Sequence, residues 1–196
     1  MTGADTSHAR TGLSLAARCR SVAGRLVRPL LGAAVAISLL HVQPTGVTFV
    51  VTPSIAEGAY LTIDAWAAGA PTLGDIVCFP YGQRGPAALQ AKRYLSPQTV
   101  LCKPVVAREG ALVRQAKNGH LELSADGKRW ESVARLATRD AQGRPVEPFF
   151  GPTPSIVPPG HVLVLAPLHH NSLDSRYYGP VAVSDIRAKA FPLLTW

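Results

Sequence analysis

Val100-Leu101-Cys102-Lys103-Pro104-Val105-Val106-Ala107 is a short, apolar, β-branched run, and it reads as a β-strand. Runs of the same kind recur on both sides of it. Upstream stand Val47-Thr48-Phe49-Val50-Val51, then Gly58-Ala59-Tyr60-Leu61-Thr62-Ile63, which alternates before a Gly/Ala/Pro turn, then Asp75-Ile76-Val77-Cys78-Phe79. Downstream stand His120-Leu121-Glu122-Leu123-Ser124, closed by the turn Asp126-Gly127, and His161-Val162-Leu163-Val164-Leu165-Ala166, a buried strand after Pro158-Pro159-Gly160. Only residues 86–94 and 184–189 look helical, and the proline-rich residues 138–159 read as a long surface loop. With 17 Gly and 17 Pro in 196 residues the composition argues against an all-helical bundle, and a hydrophobic share of 47% argues against disorder. The expectation is one mainly β domain with some additional sequence.

That additional sequence is the N-terminal part. Residues 1–28 carry Arg10, Arg18, Arg20, Arg25 and Arg28 against Asp5, and the apolar run 30–42 follows. The run is short for a bilayer of about 30 Å, so a span has to borrow neighbours and extend over residues 29–46. No small-x-small cleavage site follows Leu40, which favours an uncleaved signal-anchor over a cleaved signal peptide. The arginine flank places residues 1–28 in the cytoplasm and residues 47–196 outside. A buried core helix is the alternative, and it leaves the arginines without a purpose. Of the net charge of +8, half lies in those first residues; the remaining 15 basic and 11 acidic groups are interspersed, which argues against nucleic-acid binding.

Cys78 and Cys102 fall in the outside part, where disulfides form and persist. A bridge between them closes a loop around residues 80–100; two buried free thiols are the alternative. His169 and His170 are adjacent and lack the spacing of a zinc site, so neither a metal nor a cofactor is expected.

The candidate chemistry starts from a serine and the bases that could serve it. Ser54 stands in Thr52-Pro53-Ser54-Ile55-Ala56-Glu57-Gly58, a Pro- and Gly-bounded turn after an apolar strand, and a serine needs a base to become a nucleophile. His169 or His170 with Asp174 could supply a triad. Lys103 could serve instead, because apolar flanks penalise its ammonium and lower its pKa into the range of a general base. The alternative for Lys103 is the solvent face of an edge strand blunted by Pro104.

Asn171-Ser172-Leu173-Asp174-Ser175-Arg176-Tyr177-Tyr178-Gly179-Pro180 resembles the closing motif of the signal-peptidase-type serine peptidases, which braces a Ser/Lys dyad. Other boxes fall in order. The run 52–58 resembles the nucleophile box in the form found in conjugative-transfer peptidases of TraF type, and Gly74-Asp75-Ile76-Val77 is similar to the family's Gly-Asp-(Ile/Val)-Val strand. Lys103-Pro104-Val105-Val106-Ala107-Arg108-Glu109-Gly110 resembles the lysine box, and Pro192-Leu193-Leu194-Thr195-Trp196 the TraF-type ending. The lysine box departs from the family in having Pro104 where arginine is usual and Ala111 where aspartate is usual. Lys92-Arg93 keeps the dipeptide but lacks the apolar strand after it.

The resemblance implies a signal-peptidase-like β-barrel or sheet domain behind one transmembrane helix. Ser54 would attack the scissile carbonyl, Lys103 would take its proton, and the Ser54 backbone N–H with the Thr52 hydroxyl would form the oxyanion hole. Ser172 would orient the lysine, and Asp174 with Arg176 would brace the loop, Asp174 also being a candidate for catalysis. The function implied is a single-pass bacterial inner-membrane endopeptidase, its catalytic domain in the periplasm. Its protein substrate would be the pilin precursor of a conjugative type IV secretion system, matured and in one variant cyclised, with other conjugation proteins as possible partners. A general signal peptidase I and a catalytically silent secretion-complex scaffold are the alternatives.

Overall fold

The computed structural model describes residues 44–51, 54–82, 84–166, 169 and 171–196. They form a mainly β structure of two antiparallel sheets. The seven-stranded sheet runs β1 (Pro44–Val50), β2 (Gly58–Asp64), β11 (Ala188–Thr195), β3 (Ile76–Pro80), β4 (Val100–Arg108), β9 (His161–Val164) and β10 (Val181–Ala182). The second sheet runs β7 (Glu131–Arg135), β6 (His120–Ser124), β5 (Leu112–Gln115) and β8 (Ser155–Ile156).

The centre of the large sheet is apolar on both faces, which is why its strands read as continuous apolar runs rather than as alternating ones. Along β9 and just beyond it, Val162 and Val164 enter one buried cluster with Val77, Phe79 and Tyr178, while Leu163 and Leu165 enter a second with Val113, Leu121 and Phe150. In β4, Val105 belongs to the first cluster and Ala107 to the second. The pairing with β9 slips between them, and this bulge changes the face on which the strand presents its side chains. A third cluster, Tyr60, Cys78, Ala188 and Ala190, lies farther along the sheet, and Val50, Ile55, Ile76 and Cys102 pack against it.

Three sequence expectations change. Residues 184–189 are not a helix: a 3-10 turn over Val183–Asp185 leads into β11, held as a strand because β2 and β3 pair with it on either side. Residues 86–94 hold one helical turn, Ala87–Gln90. The segment 138–159 is more than a surface loop, because Phe150 and Val157 are buried and β8 pairs with β5. The proposed anchor, residues 29–46, lies outside the described residues except for its last three, which belong to β1. No helix among the described residues is long and apolar enough to cross a membrane.

Candidate active site

Lys103 lies in β4 opposite Val77 of β3 and alternates onto the face of Val105, toward the first cluster. It is 5% exposed, and its Nζ donates to Ser172 Oγ at 2.9 Å. Burial pushes the ammonium down from the ordinary lysine value of 10.5 to about 8; the Asp174 carboxylate opposes that shift and the Arg176 guanidinium adds to it. Such a lysine is neutral in a useful fraction of molecules near physiological pH, which makes it chemically competent as a proton acceptor.

The loop that holds Ser172 is built around a buried ion pair. Asp174 and Arg176 have side chains 0% exposed, and Arg176 Nη2 meets Asp174 Oδ2 at 2.7 Å. The same guanidinium donates from Nε to Asp174 Oδ1, from Nη1 to the Arg135 carbonyl, and from Nη2 to the His169 and Ser172 carbonyls. Asp174 in turn accepts the N–H of Ala166, just beyond β9, and Ser175 Oγ accepts that of Val164. Arg176 therefore ties the loop to itself and to β7, while Asp174 and Ser175 tie it to the β9 segment. The fixed fork of a guanidinium suits this many acceptors. Ser172 lines a mainly apolar cleft of about 220 Å³ with Leu89, Leu95, Val146, Leu173 and Tyr177, and Arg139 and Asp140 are also on its wall.

Ser54 stands partly buried in the turn between β1 and β2. Its neighbour Ile55 packs against the cluster of Tyr60, Cys78, Ala188 and Ala190, and so does Cys102, the residue before Lys103. Ile55 and Cys102 thus share one cluster, while the Lys103 side chain alternates onto the opposite face of β4. Tyr60 Oη pins the turn by donating to the Ala56 carbonyl at 2.7 Å. The glycine that ends this box is required by packing: a Cβ on Gly58 would stand 2.1 Å from the Leu194 carbonyl oxygen, at a φ of +153°.

Cys78 and Cys102 are register partners across β3 and β4 and are joined by a disulfide. Thr52 and His170 lie outside the described residues. His169 contributes its backbone carbonyl to Arg176. Lys92 lies just past the helical turn of residues 87–90 and donates to the Pro145 carbonyl at the surface, whereas Lys103 is buried. A pair not anticipated from sequence supports the neighbouring strands: Lys189 Nζ lies 2.7 Å from Asp75 Oδ2 and donates to the Ala70 carbonyl. Asp75 is the acidic residue of the Gly-Asp box, and its partner is distant in the chain, so only a view of β11 beside β3 reveals it.

The chain is similar to known proteins. Over 96 residues the chain is 38% identical to a probable conjugal transfer protein TraF of Sinorhizobium fredii, covering 49% of this chain and 46% of that protein. Over 65 residues it is 37% identical to the conjugal transfer protein TraF of Agrobacterium fabrum, covering 33% of this chain and 35% of that one. The chain therefore spans less than half the length of each of these relatives. The sequence profile of the signal peptidase family, peptidase S26, matches residues 21–196, and the chain belongs to that family, with the TraF-type proteins among its relatives.

Proposed function

We propose that this protein is a membrane-anchored serine endopeptidase in which Ser54 is the nucleophile and neutral Lys103 the general base. The observation that carries the reading is the buried Lys103, its Nζ held at 2.9 Å by Ser172, in a chain of the signal peptidase family. Lys103 takes the Ser54 proton as Oγ attacks the scissile carbonyl and passes it to the leaving amine when the tetrahedral intermediate collapses. The Ser54 N–H and the Thr52 hydroxyl stabilise the oxyanion, a contribution of about 3 kcal/mol for one donor. Ser172 fixes the amine, and Asp174 with Arg176 holds Ser172.

The substrate we assign is the pilin precursor of a conjugative type IV secretion system, because the relatives named above are conjugal transfer proteins. Water resolves the acyl-enzyme to a cleaved product; an amine at the substrate's other end resolves it to a cyclic one. We further propose that the chain is anchored in the inner membrane with residues 47–196 in the periplasm; the arginine flank and the apolar run support this, and the disulfide is compatible with that compartment. Co-expression with the pilin precursor, followed by intact-mass measurement of the product, tests the reading: a shortened subunit supports it, the loss of one further water identifies cyclisation, and unprocessed precursor contradicts it.

A further inference from the structure

We propose that the Cys78–Cys102 disulfide is the device that positions Lys103. This deepens the reading of Lys103 as the base and rests on it. The bond is one residue away from the lysine on both strands. Cys102 precedes Lys103 in β4, and Cys78 follows Val77, the residue opposite Lys103 in β3. Because side chains alternate along a strand, the sulfurs lie on the face opposite the amine, in the cluster with Tyr60, Ala188 and Ala190. The crosslink therefore ties the two strands together from beneath without occupying the site.

A clamp is needed there because β4 is paired on one side only at that point. Its register with β3 runs from Val100 to Pro104, and two backbone bonds linking Val105 with Gly74 and Asp75 continue it on that side, whereas its register with β9 begins only at Val105. Pro104 accepts one bond from the Leu165 N–H at 3.1 Å, but its ring has no N–H to return. Pro104 is also the residue at which this lysine box departs from the usual Lys-Arg pair. Lys103 is thus held by a single neighbouring strand, and its hydrogen bond to Ser172 depends on β4 keeping its place. Releasing β4 from β3 lets water reach the ammonium, which removes the desolvation that keeps its proton affinity low. The charged groups facing the amine, Asp174 and Arg176, belong to the braced loop and stay where they are.

The test uses the full chain in detergent. Two double variants remove the crosslink, Cys78→Ala with Cys102→Ala, and Cys78→Val with Cys102→Ala, the second keeping more of the volume. Val113→Ala, in the core of the second sheet, serves as a control that lowers Tm away from the site. Two readouts are taken: the titration of the Lys103 ¹³Cε resonance, assigned with Lys103→Arg, and the rate at which an acylating penem modifies Ser54. The expected result is a Lys103 midpoint at least one pH unit higher in whichever crosslink-free variant folds, with acylation at pH 7.5 reduced at least about tenfold, while Val113→Ala changes neither. A folded crosslink-free variant with the wild-type midpoint and rate overturns the proposal. Loss of folding in both variants, with Val113→Ala folded, also overturns it, since the bond would then hold the fold rather than the lysine. Undiminished acylation in Lys103→Ala would refute the base assignment separately, because the titration does not depend on that assignment.

Discussion

Lys103 Nζ donates to Ser172 Oγ at 2.9 Å, and this bond joins β4 to a loop that Asp174 and Arg176 hold from within the core. The amine is consequently held from two sides, by its own strand and by the braced loop. Its depressed proton affinity follows from that enclosure.

Removing either member of the proposed dyad is expected to abolish turnover without unfolding the protein. Ser54→Ala and Lys103→Ala should each lose at least about a thousandfold in rate, because residues that act as a unit lose most of their effect together. Lys92→Ala should process at the wild-type rate, its amine being committed to the surface carbonyl of Pro145. Processing of a co-expressed precursor, followed on gels and normalised to folded enzyme, checks all three.

The pH dependence has a defined direction. Lys103 is competent only when neutral, so acylation should rise about tenfold per pH unit up to about 8 and level off above it. A limb near 6.5, the ordinary value of an imidazole, would instead point to a histidine base. His169→Ala and His170→Ala should stay within tenfold of wild type, about 1.4 kcal/mol of barrier, and keep the same limb.

Stability carries the same signature. The folded-state value of Lys103 lies below the unfolded one, so between about pH 8 and 10.5 the unfolded chain binds the extra proton and stability rises with pH. Below pH 8 the buried ammonium costs the fold roughly 3 kcal/mol. Lys103→Met is therefore expected to be more stable than wild type at pH 7, with the gap closing by pH 10.5. Urea titrations at the two pH values measure it.

Asp174 and Arg176 are expected to act on stability. Arg176→Ala leaves the Asp174 carboxylate uncompensated at 0% exposure and strips donors from the Arg135, His169 and Ser172 carbonyls. The loss should be about 3–5 kcal/mol. Asp174→Asn separates bracing from chemistry: a lowered Tm fits bracing, whereas an unchanged Tm with turnover lost would make Asp174 a catalytic residue.

The strands were legible where burial on both faces left nothing polar to interrupt them, as at residues 162–165 and in β4. Strand β11 was not, because Lys189 and Pro192 break its apolar pattern; it is a strand through its pairing with β2 and β3. For the same reason Lys189 could not be joined to Asp75 beforehand. Lys103 stood out as a charge among apolar residues, and the structure adds what local reading lacks: Ser172 within hydrogen-bond reach, and the Arg135 and His169 carbonyls that hold Arg176.

The membrane topology is tested with a reporter fused after Trp196, expected to be active only in the periplasm, and with N-terminal sequencing of the mature protein. Retention of the N-terminal arginines is expected. A product beginning near His41 would show a cleaved signal instead.

The most direct test of the Ser/Lys account is site-resolved mass spectrometry after exposure to an acylating penem at pH 8. A Ser54/Lys103 dyad gives one adduct, on the peptide that contains Ser54, absent in Ser54→Ala and at least about a thousandfold slower to form in Lys103→Ala. An adduct at another residue, or one at Ser54 that forms at the wild-type rate without the Lys103 amine, would contradict it.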